Sequence, residues 1–391
     1  MRKTIFHIDL DAFFCSCEEI VNPELRGKIF VVSGRNKRSV VSCASYPARR
    51  LGIKAAKPIY MELQKYPRLT VVPGHYELYD QMSMNFFSYI KKHYSNICEE
   101  MSIDECFLDV TNCLKHYNND PVLLAKHLQN SVKKALGLSV SIGISYNKFL
   151  AKMATDLNKP KGITTVLTQD ELKKKIWPLP IEEMFFVGPP TAKKLRQIGI
   201  NTIGDLANFD DIKLLELTLD RNWFFTQQNA LGHGDDFVDT TKNDPKSQSV
   251  SHTLLDPTND PIEIETTLKY IAQELQTKLE AYKMVGSCIG IIYKINKVNR
   301  IKNESLNRNI YKWEDLAHYA LQLLGMVWDG TSMIQLLGIN ISKLVKIDTN
   351  ESIEQQLIPN KRKTKLNKIA EDINKKLGKD LVFVAKDKFI S

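Results

Sequence analysis

Along the first 160 residues, apolar and polar positions switch between two periods. Residues 4–10 form a mostly apolar run, and 28–33 and 39–43 are short β-branched runs; all three predict strands. Helical spacing takes over at 46–52 and 59–65, and Val71-Val72-Pro73-Gly74 closes that section. A long helix is expected over 76–93, a strand over 103–110 and an amphipathic helix over 121–136. Residues 139–145 read as a strand containing a glycine, followed by a helix over 147–157. The order β…α–β…α–β predicts an α+β unit, an antiparallel sheet with helices on one face. From about residue 168 the pattern becomes short helices joined by turns. Residues 240–247 read as a polar linker. Beyond it, a helix over 263–283, a strand over 286–296, a helix over 313–329 and a strand over 334–342 predict a small split βαβ-type module. The tail after about 347 is polar, and Lys361-Arg362-Lys363-Thr364-Lys365 reads as a solvated charged segment.

Composition narrows the class. The 391 residues are 43% hydrophobic and 25% charged, ordinary for a soluble chain of two to four domains. No apolar run approaches the ~20 residues that span a bilayer. Asp9 interrupts Ile5-Phe6-His7-Ile8 too early for a signal peptide, so a cytoplasmic protein without a membrane partner is expected. Seven cysteines without CxxC spacing read as reduced thiols, several of them in the core. A net charge of +9 and a pI of about 9.0 point to a polyanion, nucleic acid first. That signal is weak alone, because a low-GC genome also enriches Lys, Asn and Ile.

Two acidic patterns carry more. His7-Ile8-Asp9-Leu10-Asp11-Ala12-Phe13-Phe14 ends the first strand, and Ser102-Ile103-Asp104-Glu105-Cys106-Phe107-Leu108-Asp109 covers the later one. Carboxylates in buried strands are costly unless cations or donors compensate them. Two or three converging from separate strands would suit Mg²⁺, which takes a few carboxylates together with phosphate oxygens. That is the equipment of two-metal phosphoryl transfer. Either motif alone is equally what an alternating strand shows to water. Tyr46-Pro47-Ala48-Arg49-Arg50 and Asn158-Lys159-Pro160-Lys161-Gly162-Ile163 add basic clusters of the kind that neutralise a triphosphate, or plain surface. Residues 185–207 resemble a helix-hairpin-helix, in which helix N-terminal amides hold a DNA phosphate without reading sequence. Phe186 replaces its usual first glycine, and Pro189 and Pro190 leave fewer amides for phosphate.

The assembled motifs resemble the Y-family DNA polymerases, specifically the bacterial-type DinB or DNA polymerase IV branch. The resemblance covers nearly the whole chain. It rests on Asp9-Leu10-Asp11-Ala12-Phe13-Phe14, Cys43-Ala44-Ser45-Tyr46-Pro47-Ala48-Arg49, Ser102-Ile103-Asp104-Glu105, Ser141-Ile142-Gly143-Ile144-Ser145 and Asn158-Lys159-Pro160-Lys161-Gly162. It implies an α+β multidomain right hand: palm (1–10 and 77–166), fingers (11–76), helical thumb with the hairpin motif (167–239), linker (240–249), α/β little finger (250–346) and a C-terminal tail (347–391). The implied reaction is template-directed, low-fidelity synthesis across lesions without a proofreading exonuclease. Asp9, Asp104 and Glu105, with the backbone carbonyl of Leu10, would hold two Mg²⁺ ions. Asp11 matches the motif but is not counted as a ligand. Phe14 would be the steric gate against a ribose 2′-hydroxyl. Tyr46, Arg49 and Lys159 match triphosphate-contacting positions. Cys43 stands where relatives often carry Thr, which would soften one such contact. Lys57 replaces an apolar residue over the templating base. Gly188, Thr191 and Lys193 would meet the DNA backbone. Gln356-Leu357-Ile358 resembles a sliding-clamp peptide without its terminal aromatic. Implied partners are primer-template DNA, dNTPs and the clamp, and the implied state is a monomer. Two rival classes are a non-catalytic DNA or clamp adaptor, which would usually lack the three acids, and a two-metal nuclease, which would not need Tyr46, Arg49 and Lys159.

Overall fold

The computed structural model describes residues 2–34, 36, 39–241 and 244–347. The chain divides into two compact units, Met1–Lys242 and Asn243–Ser391. The first opens with β1 (Ile5–Leu10), α1 (Phe13–Val21), β2 (Phe30–Ser33), β3 (Val41–Ala44), α2 (Tyr46–Arg50), α3 (Ile59–Lys65) and β4 (Thr70–Val72). It continues through α4 (Tyr76–His93), β5 (Cys98–Glu100), β6 (Glu105–Asp109), α5 (Pro121–Leu136), β7 (Val140–Ser145), α6 (Lys148–Asp156) and β8 (Ile163–Val166).

The order β5-β6-β1-β7-β8 puts β1 at the centre of a five-stranded sheet. Its pairings are antiparallel except for the parallel β7–β8 edge. Phe6, Ile8 and Leu10 pack with Phe86 and Ile90 of α4 and Leu124, Leu128 and Val132 of α5. Ile5 and Phe107 pack with Ala151 of α6 instead. Helices therefore cover both faces, which corrects the expectation of one. A doubly covered strand must be apolar on both sides, and Ile5-Phe6-His7-Ile8 is wholly buried. Gly143 admits α6: a Cβ there would stand 2.0 Å from the Ala151 carbonyl oxygen and 2.5 Å from the Thr155 nitrogen.

A three-stranded sheet, β3-β2-β4, has its own core around Val31, Ala48 and Ile53. A helical section follows: α7 (Gln169–Lys175), α8 (Pro189–Gln197), α9 (Ile203–Ala207), α10 (Ile212–Leu219) and α11 (Trp223–Ala230). Leu195, Ile200, Leu206 and Leu215 centre its core.

The second unit is β9 (Ser247–Thr258), α12 (Pro261–Tyr282), β10 (Met284–Ile295), β11 (Val298–Ile310), α13 (Trp313–Val327) and β12 (Ile334–Lys346). Its sheet is antiparallel, in the order β11-β10-β12-β9. Leu268, Ile271 and Leu275 of α12 and Leu316, Ala320 and Leu323 of α13 cluster with Ile289, Ile291, Ile339 and Ile341. The alternate register positions belong to the opposite face, where Gly290 lies beside Asn340 and Ser249, and Gly338 beside Ser251. β9 starts at Ser247, inside the segment expected to be linker.

Candidate active site

Segments far apart in sequence meet at one end of the central sheet. Asp9 and Leu10 end β1, Asp104 immediately precedes β6, Phe14 lies in the first turn of α1, Cys43 comes from β3, Arg49 from α2 and Lys159 from the loop after α6. All seven line one cavity.

Asp9 and Glu105 are cross-strand partners. The Asp9 carboxylate takes a hydrogen bond from Lys159 Nζ at 2.8 Å. Burial pushes its pKa up to about 6, against the pull of that lysine. Lys152 of α6 donates to Glu105 at 2.6 Å, and His7 Nε2 approaches the same carboxylate at 3.4 Å. His7 and then Lys152 outweigh burial and hold Glu105 down to about 2. His7 itself is buried, which lowers it to about 4 and leaves the ring neutral at pH 7, with Nδ1 2.8 Å from the Thr155 hydroxyl. Ser102 donates to the Asp104 side chain at 2.6 Å, while the Asp104 carbonyl accepts the Leu10 N–H. Among the described residues, no three acidic, histidine or cysteine side chains already form a metal cage. Lys152 and Lys159 supply the compensating charge instead. The donor set nonetheless fits Mg²⁺: hard carboxylate oxygens, one of them with its ionised form left costly by burial.

Phe14 stacks on Tyr79 at 4.3 Å and 11°, with Tyr76 edge-on at 6.0 Å. The Tyr79 hydroxyl donates to buried Glu18, whose carboxylate also lies 2.9 Å from His75 Nδ1. Arg49 is held by the Ala44 carbonyl at 2.9 Å and by Cys43 Sγ at 3.8 Å, and it lies over the Tyr46 ring. Cys43 therefore acts here as an acceptor beneath Arg49. Its pKa is lowered by the Cys15 thiol beside it and, more weakly, by Arg49. Tyr46 lines the neighbouring cavity with Asp11, Arg26, Lys133 and Lys161.

The remaining expected residues lie elsewhere. Lys57 is exposed in the loop before α3, and its carbonyl accepts the Val41 N–H at 2.8 Å. Gly188 is the N-cap of α8, Thr191 is half-buried and Lys193 exposed. Pro189 and Pro190 fill the first helical positions, where amides have no helical acceptor in any case. Phe186 takes a left-handed φ of 74°, the conformation that the missing glycine would supply. Gln356, Leu357 and Ile358 lie outside the described residues. Sequence reading missed Lys152, His7, Glu18 and Tyr79. Lys152 carried one usable signal, its i,i+4 spacing to Asp156 on an expected helix.

Known proteins resemble this chain over most of its length. Residues 8–156 match the impB/mucB/samB family, 169–200 its helix-hairpin-helix motif and 245–357 its C-terminal domain. The DNA polymerase IV of Clostridium kluyveri is 31% identical over 98% of this chain and 97% of its own. DNA polymerase IV 1 of Bacillus subtilis is 32% identical over 97% and 92%. A Y-family polymerase chimera of Dbh and Dpo4 superposes with a TM-score of 0.79 at 26% identity, covering 88% of this chain and all of its own. An insertion ternary complex of Dbh DNA polymerase covers the same shares at a TM-score of 0.59 and 26% identity. Palm, fingers, thumb and little finger are thus the architecture of this fold, and no helix among the described residues is long and apolar enough to cross a membrane. The chain belongs to the Y-family of DNA-directed DNA polymerases, in the branch whose bacterial members are called DNA polymerase IV.

Proposed function

We propose that this polymerase adds dNTPs to a primer 3′-end opposite a DNA template, with low fidelity, across lesions and without proofreading. The observation that carries the proposal is the meeting of Asp9, Asp104, Phe14, Arg49 and Lys159 in one cavity. The domain limits given above for palm, fingers, thumb and little finger belong to the same proposal.

Asp9, Asp104 and Glu105, with the Leu10 carbonyl, would hold two Mg²⁺ ions. When bound, the ions lower the pKa of the primer 3′-hydroxyl and screen the charge of the reacting phosphate. The chain's own residues do the rest. Arg49 offers two or more donors to phosphate oxygens and Lys159 a point charge. Tyr46 keeps its hydroxyl proton, since burial and then Asp11 raise its pKa well above the ordinary value, and donates it to Asp11. Phe14, braced by Tyr79, fills the space that a 2′-hydroxyl would need. The α8 hairpin and the Ser-, Asn- and Gly-rich face of the second unit suit a phosphate backbone read without sequence. The tail peptide at 356–358 is assigned to the sliding clamp, and the working form to a cytoplasmic monomer.

Primer extension with purified protein, labelled primer-template, dNTPs and Mg²⁺ tests this beside Asp104→Ala. Template-directed additions that the variant loses are expected. Extension by the variant would sink the metal assignment. DNA binding without extension would make the protein an adaptor, and primer shortening a nuclease.

A further inference from the structure

Asp11 is the acid of the Asp9-Leu10-Asp11 motif that is assigned neither to the metal ions nor to the triphosphate. It is 3% exposed and turned away from the Asp9 cavity. Its Oδ1 accepts from Tyr46 Oη at 3.1 Å and Ser141 Oγ at 2.7 Å, and its Oδ2 from the Lys161 N–H at 2.9 Å. The Asp11 N–H donates to the Ser139 carbonyl, and its own carbonyl accepts the Ser16 hydroxyl. One buried carboxylate therefore collects side-chain or main-chain donors from α2, from β7 and from the loop that carries Lys159. A buried carboxylate requires such donors, and each donor segment is fixed in return.

We propose that Asp11 is a positioning residue for the triphosphate site, holding the Tyr46 helix and the Lys159 loop in one arrangement. The proposal rests on the assignment of Tyr46, Arg49 and Lys159 to the triphosphate. Two cationic or donor groups on separate segments grip one ligand only if their spacing is set beforehand, and a misplacement of about 1 Å is costly. Asn at position 11 keeps the shape but loses the charge. With its oxygen on the Lys161 N–H, its amide group must donate to the two hydroxyls, which reverses both bonds and removes the charge that strengthens all three.

The test is single-nucleotide incorporation on primer-template, with wild type, Asp11→Asn, Tyr46→Phe, their combination, Ser141→Ala and Arg49→Ala. Asp11→Asn is expected to raise the KM of all four dNTPs roughly ten- to a hundredfold, the scale of a hydrogen bond to a charged group. The kcat and the Kd for primer-template should move far less. The combined variant should fall short of the product of the two single effects, because both disrupt the same bond. Ser141→Ala should also raise the KM, although Ser141 is buried and has no triphosphate to touch; this arm stands if Asp11→Asn fails to fold. If Arg49→Ala raises the KM and neither Asp11→Asn nor Ser141→Ala does, the positioning role is wrong. If Arg49→Ala leaves it unchanged, the triphosphate assignment fails first. A loss of kcat at constant KM would place Asp11 at the metal centre and overturn the proposal.

Discussion

Asp9 and Glu105 face each other across β1 and β6, yet their protonation differs sharply, to about 6 and about 2. Burial dominates at Asp9, whereas His7 and Lys152 dominate at Glu105. As pH falls through about 6, Asp9 takes up a proton and loses the charge its proposed ligand role needs, while Glu105 stays ionised. In the metal-free protein that same raised value makes ionised Asp9 a cost to folding, relieved as pH drops from about 6 towards the ordinary carboxylate range. The Mg²⁺ concentration for half-maximal extension is therefore expected to rise by roughly tenfold per unit below pH 6. A Mg²⁺ titration at pH 5 and 7.5 checks this, and an unchanged requirement would remove Asp9 from the ligand set. Phe14→Ala should open the sugar site to ribonucleotides, raising relative rNTP incorporation by roughly a hundredfold or more, a few kcal/mol of lost steric exclusion. Competing rNTP and dNTP on one template measures it, and unchanged selection would refute the gate. The acids and Phe14 were legible because their motifs sit in consecutive residues. Their supports were not: Lys152, His7, Glu18 and Tyr79 reach the site by three-dimensional packing that no local pattern records.

At the scale of elements, the central strands and long helices follow from periodicity, and the strands it missed share a property. β4, β5, β8, β9 and β11 all lie at sheet edges. Edge strands are short or polar because burial does not demand an apolar pattern of them. β4 and β5 have three residues, and most of β11 is exposed. α1 was missed for a different reason: it begins directly after Ala12, which takes the left-handed conformation without a side-chain cap, so no start signal precedes it. The glycine in β7 was legible as an oddity, and its reason is the close approach of α6. Gly143→Ala should push α6 away and cost about 1–3 kcal/mol or more, the range for overpacking. Urea unfolding measures the loss. Extension should fall with it even where the protein stays folded, because Lys152 rides on α6 and Lys159 on its exit. Full stability in the alanine variant would mean that the helix can retreat freely.

The whole molecule is two units with separate cores. The buried cluster of the second runs from Val250 to Ile341 and contains nothing from the first. Residues 243–391 expressed alone are accordingly expected to unfold in a single cooperative urea transition, with near-UV ellipticity present before it. A non-cooperative profile would show that the unit needs the rest of the chain. The polar stretch near 240 announced this division in the sequence, but β9 was hidden by its Ser-rich composition, so the boundary read several residues late.

The sheet face of that second unit opposite α12 and α13 has a mechanical consequence. Gly290 and Gly338, without side chains, neighbour the short Ser249, Ser251 and Asn340 in register, with Ile292 beside Gly338. A helical polymer lying there would find few protruding teeth to lock one phosphate pitch against another. Moving along by one nucleotide would then cost nearly the same at every step and on every sequence. If the proposed function holds and DNA lies on this face, it would serve as a low-friction track, leaving pauses to the fit of the base pair being made.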